Sequence, residues 1–251
     1  IAGWIFDVYP SHDGMAVWLI DRNGLKYRAA APFLPSFILH LTGADSRRAS
    51  ALARYAPLPL SFCATQRREL YTNETWNVLQ VFVHDPRRFK AAIAFYERFF
   101  PHFAFFNADL LPAQMFFYET GLFPLAYGEY ELDEGGRLTG WNLLDGRERV
   151  EYELPPLSTL LLRSANDFVS PKYHPHLQLE VEYNGRTFSL EQETPRETLE
   201  ALNWHLHACD PDILLTEYGD AVRLPKLVDA ARRFKVPLLL NRDDAANYRV
   251  T

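Results

Sequence analysis

The carboxylates between positions 210 and 220 are the side chains whose types and spacing could do chemistry. This segment begins at Asp210 and reads Asp-Pro-Asp-Ile-Leu-Leu-Thr-Glu-Tyr-Gly-Asp. Carboxylate oxygens are the ligands that Mg²⁺ requires. A pair of such ions can activate a water molecule for hydrolysis. A metal-binding site is therefore one hypothesis for this segment, and it depends on the other acids of the chain.

Two further acidic pairs could supply ligands. Glu180 and Glu182 alternate with apolar residues in a predicted strand, so both lie on the face opposite the apolar side chains. Solvated strand-face carboxylates are the favoured interpretation of this pair. Asp243 and Asp244 follow a predicted strand, and a loop turn is the favoured interpretation for them.

Two His-x-His pairs are candidate metal ligands. His174 and His176 would share one face of a strand and could then bind a metal. Pro175 between them and the lack of a third ligand favour a loop. His205 and His207 lie in a predicted helix, where residues two apart point to different faces.

Aromatic and basic side chains suggest a second kind of chemistry, the binding of a nucleic-acid strand. Rings are dense in segments 95–106 and 116–118 and could stack on bases, although a packed core is the default for helix-spaced aromatics. Adjacent arginines are candidate phosphate contacts, with a solvated surface as the alternative. The pairs are Arg47-Arg48, Arg67-Arg68, Arg87-Arg88 and Arg232-Arg233, and the last three are our predicted nucleic-acid-binding residues.

Composition limits the classes of protein. The net charge of -6 argues against a general nucleic-acid coat, because backbone binding needs clustered cations. Two cysteines are too few for a disulfide framework and indicate reduced thiols in the cytoplasm. We find neither a signal peptide nor an apolar run near the roughly 20 residues of a membrane span. The chain starts at Ile1 and stops at Thr251, so we expect a piece of a longer cytoplasmic protein without a membrane partner.

The sequence before Pro155 predicts an α+β unit. Asn-Gly dipeptides favour tight hairpins, and a proline after a capping residue favours a helix start. The predicted elements are a hairpin around Asn23-Gly24, a strand at 78–83, a helix from Asp85-Pro86 to Pro101, a strand at 103–106, a helix at 112–120 stopped by Gly121, and a hairpin at 127–144.

Pro155-Pro156 is the best candidate for a domain boundary, because two prolines interrupt both helix and sheet. The predicted elements beyond it are a central strand at 157–162, a hairpin around Asn184-Gly185, a helix capped by Thr194 and Glu197, a strand at 213–215, a helix from 224 to 231, and a strand at 236–240. This order is that of a ribonuclease H-like α/β domain.

The segment that begins at Asp210 resembles the second exonuclease motif of family B DNA polymerases, which reads Asp-Pro-Asp, a few aliphatics, Tyr-Asn-Gly-Asp and Asn-Phe-Asp. The resemblance covers nearly the whole chain, and the spacing from Asp109 to Gly121 equals that of the family. Five more segments resemble the family in the same order: Phe6–Tyr9 with Asp13-Gly14, Phe33–Phe37, Val81–Pro86, Asn107–Pro124 and Leu157–Leu162.

This resemblance implies two domains. Residues 1–155 would form the polymerase-type N-terminal α+β domain with an RRM-like unit. Residues 156–251 would form the ribonuclease H-like 3′→5′ exonuclease-type α/β domain, truncated at its C-terminus.

The resemblance also implies that the exonuclease site is degenerate. The Asp and Glu of the first family motif fall on Leu160 and Leu162, and the Asp of the second falls on Arg223. The family uses Mg²⁺ there, but leucine has no lone pair and an arginine repels the metal. We therefore expect no catalytic residue, no metal site and no cofactor in this fragment.

The sequence thus predicts a noncatalytic region of a family B DNA polymerase homologue with an architectural role in DNA strand binding and domain scaffolding. Its expected partners are weakly bound single-stranded or primer-template DNA and the remaining polymerase domains of the parent chain, a candidate DNA-directed DNA polymerase. Two alternatives stay open: an active metal-dependent 3′→5′ exonuclease with a rebuilt carboxylate site, and a protein-interaction module.

Overall fold

The computed structural model describes residues 1–41, 44–151, 153–165 and 178–243, and it divides the chain into two compact units. The first unit is Ile1–Pro156 and the second is Leu157–Thr251. Both mix helices with largely antiparallel sheets, so the predicted mixed α/β class is confirmed. Within the described ranges, no helix is both long and apolar enough to cross a bilayer.

In its described residues, the first unit contains two sheets and three α-helices. Along the chain its elements are β1 (Ala2–Ser11), β2 (Gly14–Asp21), β3 (Lys26–Ala31), β4 (Ser36–His40), α1 (Ala44–Leu52), β5 (Leu60–Arg68), β6 (Thr75–Val83), α2 (Phe89–Phe99), β7 (Ala104–Phe106), α3 (Pro112–Thr120), β8 (Tyr127–Leu132) and β9 (Leu138–Leu143).

One sheet of the first unit has the order β3-β2-β1-β8-β9 and is antiparallel throughout. The predicted hairpin between β2 and β3 is present. Gly24 turns it at a φ of 79°, and the Asp21 carboxylate accepts hydrogen bonds from the backbone N–H groups of Asn23 and Leu25. Helix α3 packs on this sheet through Phe116.

The other sheet of the first unit has the order β5-β6-β4-β7 and is also antiparallel. Its strands and helices follow one another as strand, helix, strand, strand, helix, strand, which places β4 and β6 in the centre. Phe37, Leu39 and Val81 pack against Ala92 and Tyr96 in one core, so α2 covers a single face. Among the described residues, no helix covers the opposite face.

The predicted start of α2, a capping aspartate followed by a proline, is confirmed. The Asp85 carboxylate accepts a hydrogen bond from the backbone N–H of Arg87, and Pro86 begins a short 3₁₀ turn ahead of the α-helix. Predicted helix α3 is present with its stop, since Gly121 adopts a φ of 78°. Both helix boundaries depend on short-range signals, which explains why the sequence predicts them.

The second unit is one sheet with helices packed on it. Its elements are β10 (Thr159–Ser164), β11 (Leu179–Tyr183), β12 (Arg186–Ser189), α4 (Pro195–Cys209), β13 (Ile213–Thr216) and α5 (Leu224–Phe234). The sheet order is β12-β11-β10-β13, and only β10 and β13 run parallel. The apolar run is therefore a central strand, as predicted, although it begins at Thr159 rather than Leu157.

The start of α4 matches the predicted capping box. The Thr194 hydroxyl accepts a hydrogen bond from the backbone N–H of Glu197, and the Glu197 carboxylate accepts one from the backbone N–H of Thr194. Leu199 and Leu202 of this helix pack with Leu227 of α5 against the sheet. The second unit therefore has its own apolar core.

The predicted strand at Val236–Leu240 is not formed in full, because Leu238 alone of these residues makes a β-bridge. The side chain of Asn203 takes the place of a neighbouring strand. Its amide nitrogen donates to the backbone carbonyl of Pro237 at 2.8 Å, and its amide oxygen accepts from the backbone N–H of Leu239 at 3.0 Å. A helix side chain thus satisfies backbone groups that the apolar pattern had assigned to a sheet.

Candidate functional site

Arg223 lies at the end of a turn that the sequence does not predict. Residues Gly219–Arg223 form a π-helical turn, in which the backbone N–H of Arg223 donates to the carbonyl of Tyr218 at 3.0 Å. Tyr218 begins the turn at a φ of 51°. A Cβ on Gly219 would lie 3.0 Å from Cγ2 of Thr216, so the close approach to β13 favours glycine there. π-helical turns are rare and frequently occur at functional sites.

The π-helical turn directs Arg223 into the interior. The residue is only 4% exposed, and its Nη1 donates a 2.7 Å hydrogen bond to Oγ of Ser164, which is 6% exposed. A guanidinium stays charged at any working pH. The side chain therefore places a fixed positive charge beside the last residue of β10.

Leu160 and Leu162 lie on the same face of β10 as Ser164. Alternation along a strand places every second residue on one face, and both leucines are fully buried in the core beneath α4 and α5. The structure thus places the Arg223 side chain against the face of β10 that carries the two leucines. The positions on which the sequence resemblance places metal ligands therefore lie in an apolar core beside a buried arginine.

Mg²⁺ does not fit these residues. Leucine offers no oxygen ligand, and the guanidinium offers only donors. Over the described residues, no group of three or more histidine, cysteine, aspartate or glutamate side chains is placed to hold a metal ion.

Asp212 ties the starts of β10 and β13 together. Its side chain is 1% exposed, and Oδ2 accepts hydrogen bonds from the backbone N–H and the hydroxyl of Ser158, each at 2.8 Å. Oδ1 forms an ion pair with Nη2 of Arg242 at 2.8 Å. Burial opposes ionisation, but the Ser158 hydrogen bonds and the Arg242 charge outweigh it and hold the pKa of Asp212 below its ordinary value. This carboxylate stabilises the fold at the end of β10 opposite Ser164.

The first aspartate of the Asp-Pro-Asp motif also contacts Arg242. Asp210 ends α4 at a φ of 41°, and its carboxylate accepts a hydrogen bond from Nε of Arg242. Nη2 of Arg242 donates to the backbone carbonyl of Asp210 at 2.6 Å. One arginine therefore holds both aspartates of the motif.

The remaining acidic candidates lie elsewhere in the second unit. Glu180 and Glu182 both pair with Arg163 on the face of the sheet opposite the helices, and Glu217 is close enough to raise the pKa of Arg163 with them. The strongest cause of that rise is the hydrogen bond to Glu180. Asp220 is exposed in the π-helical turn. The carboxylates of the open face therefore surround a guanidinium.

The other acid and histidine candidates that the structure describes do not assemble into a site. Asp243 lies in a bend after the segment that Asn203 holds, and Asp244, His174 and His176 lie outside the described residues. His205 contacts the ring of Phe188, and its burial lowers the pKa of the imidazole. His207 is exposed on another part of α4.

The predicted nucleic-acid-binding arginines of the first unit do not form one patch. Arg67 and Arg68 are exposed at one end of β5, whereas Arg87 and Arg88 follow the opposite end of β6. The seven-residue offset along the hairpin separates the two pairs by roughly 23 Å or more. Arg87 makes two 2.9 Å hydrogen bonds to the Asp85 carboxylate, and these lower the pKa of Asp85.

The other arginines and aromatic candidates have structural contacts. Arg232 pairs with Asp229 at 3.3 Å, and the Arg233 guanidinium lies 5.5 Å from the Phe234 ring centre, both on α5. Arg48 lies over Phe100 in the first unit. Most rings of segment 95–106 join the core around α2, and Phe116 is buried under α3. The sequence gives the positions of these arginines and rings along the chain. It does not show which of them are free to contact a nucleic acid and which are buried or paired.

No protein-family model matches the chain, and no curated protein matches it. Among solved structures, the family B DNA polymerase from the hyperthermophilic archaeon Pyrobaculum calidifontis matches with a TM-score of 0.68 and 19% identity. The match covers 96% of this chain and 34% of the polymerase chain. At that identity the likeness shows the fold, which is the mixed α/β fold of a region of a family B DNA polymerase. This chain spans about a third of the length of that polymerase.

Sequence reasoning missed the partners that fix the candidate site. Ser164 is 59 positions from Arg223, and Ser158 is 54 positions from Asp212. Neither serine belongs to a motif of its own. Only the parallel pairing of β10 with β13 brings each serine to its partner.

Proposed function

We propose that this chain is the noncatalytic N-terminal and exonuclease-like region of a family B DNA polymerase homologue. Its role is architectural: it binds a DNA strand weakly and positions the other domains of the parent chain. The polymerase-like fold supports the proposal, with residues 1–155 as the N-terminal domain and 156–251 as the exonuclease-like domain. The observation that carries it is the Arg223–Ser164 hydrogen bond within that fold.

The physical reason for inactivity is the charge at the end of β10. Two-metal hydrolysis requires several carboxylates around two cations in a polar cleft. Here the corresponding positions bury Leu160 and Leu162 and add the cation of Arg223. A metal ion would lose its water ligands without gaining oxygen ligands from the protein. Proofreading hydrolysis therefore has neither ligands nor space at these positions.

The test is an exonuclease assay on 3′-labelled single-stranded DNA with Mg²⁺ or Mn²⁺. We expect no metal-dependent shortening with the unmodified chain. Asp220→Ala and Glu180→Gln are matched variants, because both acids are candidates for a rebuilt site. Turnover that survives further purification and disappears in either variant would overturn the proposal in favour of an active exonuclease.

The DNA-binding part of the proposal has its own test. We expect weak binding of single-stranded or primer-template DNA, without strong sequence preference, that weakens as salt rises because counterion release no longer favours the complex. Fluorescence anisotropy of a labelled oligonucleotide from 20 to 200 mM salt measures it. The absence of binding at the lowest salt would contradict a DNA-binding role.

A protein-interaction module is a second candidate, and one surface favours it. Ile213 is 38% exposed and Leu215 is 50% exposed. Pairing with Thr159 and Leu161 of β10 places both on the side of the sheet away from α4 and α5. Exposed apolar side chains on a sheet face are typical of protein contacts. A chain without DNA affinity that loses self-association or domain association in Leu215→Lys would support this candidate.

A further inference from the structure

Three rings lie together on the uncovered face of the β5-β6-β4-β7 sheet. The rings of His40 and Trp76 are stacked, with centroids 4.2 Å apart and planes 6° from parallel. The Phe106 ring lies 6.0 Å from Trp76. These residues come from the adjacent strands β4, β6 and β7, and we call them the aromatic platform.

Strand alternation explains why the aromatic platform faces outward. Leu39 of β4 is buried against the helices, so its neighbour His40 points to the opposite face. In β6, Leu79 is buried in the same core, so Gln80 and Trp76 also point outward. The face is therefore built by the two central strands of the sheet.

The aromatic platform is accessible yet held in place. Phe106 keeps 39% of its surface exposed, and Trp76 and His40 are half-buried. The imidazole supports one side of the indole, and Nε1 of Trp76 donates to the Glu74 carboxylate at 3.3 Å. A ring fixed before its ligand arrives loses little conformational entropy on binding.

A cation is fixed beside the aromatic platform. Arg67 of β5 lies directly across from Trp76 in the register, on the same face of the sheet. Its Nη2 donates to the Gln80 amide oxygen at 2.9 Å, and the Gln80 amide nitrogen donates to Ser36 at 2.8 Å. The nearby Glu69 carboxylate instead accepts backbone hydrogen bonds from the β5-β6 turn. The platform thus combines π surface with an oriented positive charge.

We infer that this face binds single-stranded DNA, with one base stacked on Trp76, a neighbouring base on Phe106 and a phosphate on Arg67. Every base has a π face that stacks on aromatic side chains, and cations beside the rings bind the backbone. Four-stranded sheets of this strand and helix order stack bases of single-stranded RNA on aromatic residues of their central strands. The choice of DNA rests on the proposed function, whereas the stacking itself rests on the geometry of the platform. This surface lies in the first unit and does not involve Arg223.

The test measures the affinity of the chain for a labelled 12-nucleotide single-stranded DNA at low salt. Trp76→Ala should weaken binding about tenfold, or about 1.4 kcal/mol, because it removes the stacking of one base. Trp76→Phe, which keeps a ring, should weaken it less than about threefold. Trp204→Ala is the matched control, because Trp204 is 63% exposed on α4 in the other unit, and we expect it to bind as the unmodified chain does.

An oligonucleotide without bases separates stacking from phosphate contacts. The unmodified chain should bind this abasic strand about tenfold more weakly than the normal one, and Trp76→Ala should cause no further loss on it. Circular dichroism establishes that each variant is folded.

Binding that changes less than twofold in Trp76→Ala would overturn the inference while leaving the proposed function intact. Absence of DNA binding by the unmodified chain would overturn both, and tighter binding of an RNA of the same sequence would overturn the choice of DNA.

The rate of alkylation of Cys63 measures DNA binding at this face without any substitution. It is exposed, and it pairs with Gln80 in the register, so it lies on the same face as Arg67. Saturating single-stranded DNA should slow alkylation of Cys63 severalfold, whereas Cys209, whose pKa is raised by burial, should keep its slow rate. An unchanged Cys63 rate would place the DNA elsewhere and overturn the inference.

Discussion

Arg223 and Ser164 form a buried hydrogen bond of 2.7 Å between the π-helical turn and the end of β10. The bond joins residues 59 positions apart at the place where the family resemblance puts a metal ligand. It gives the arginine a structural role, because the guanidinium links β10 to the start of α5. The position to which the resemblance assigns a nuclease ligand thus carries a contact within the second unit.

Arg223→Ala should lower the free energy of unfolding by about 3 kcal/mol. The substitution leaves the buried Ser164 hydroxyl without its charged partner and removes a packed side chain. Arg232→Ala on the exposed side of α5 is the matched control, with an expected change within about 0.5 kcal/mol. Urea denaturation followed by circular dichroism measures both. Equal stability of the two variants would contradict the structural role of Arg223.

Restoring acids at the aligned positions should destabilise the chain rather than create a nuclease. Leu160→Asp alone should cost more than about 3 kcal/mol, because Leu160 is fully buried and a carboxylate there has no partner. Thr159→Asp, one residue away on the exposed face, is the control and should cost little.

The combined variant Leu160→Asp, Leu162→Glu and Arg223→Asp should neither fold stably nor degrade DNA. An increase of its melting temperature with Mg²⁺ would show that a metal site can form there after all.

Asp212 should make the stability of the second unit depend on pH. Hydrogen bonds from Ser158 and the Arg242 charge lower the pKa of Asp212 in the folded state, despite its burial. Its contribution is therefore fully present above the unfolded-state pKa of about 3.9 and is lost as the pH falls through the lower folded-state value.

Asp212→Asn removes that contribution and should lower the free energy of unfolding by about 1 to 3 kcal/mol at pH 7. The difference from the unmodified chain should begin to shrink below about pH 4, where the unfolded chain takes up a proton that folded Asp212 does not yet bind, and it should vanish only below the lower folded-state pKa. Asp220→Asn, in the exposed π-helical turn, is the control. Denaturation curves between pH 3 and pH 7 measure the free energy of unfolding of each variant. A difference between Asp212→Asn and the unmodified chain that does not change with pH would show that the ionisation of Asp212 does not stabilise the fold.

Two arginines of the first unit should differ in their effect on DNA affinity. Arg67→Ala should weaken binding of single-stranded DNA severalfold and reduce the salt slope by about 0.7, the value for one phosphate contact. Arg87→Ala should change affinity less than twofold, because two 2.9 Å hydrogen bonds already commit that guanidinium to Asp85. Salt titrations of both variants by anisotropy provide the comparison. A larger loss in Arg87→Ala would assign the phosphate contact to the other end of the hairpin.

The sequence alone determined the elements whose signals are local. Asn23-Gly24 specifies a hairpin, Gly121 stops α3, and Thr194 with Glu197 begins α4, because each depends on dihedral preferences and hydrogen bonds within a few residues. The alternation of Leu160 and Leu162 in an apolar run likewise specifies a buried central strand.

Tertiary structure decided the rest, because the contacts join distant parts of the chain. Asn203 satisfies the backbone of Pro237 and Leu239 from 34 and 36 positions away, where the sequence predicts a strand and the structure has a single β-bridge at Leu238. The π-helical turn buries Arg223 against β10, although an arginine is usually exposed. His40 and Trp76 become a stacked pair only when β4 and β6 align side by side. Local propensity acts over a few residues, whereas burial and pairing depend on which strands become neighbours.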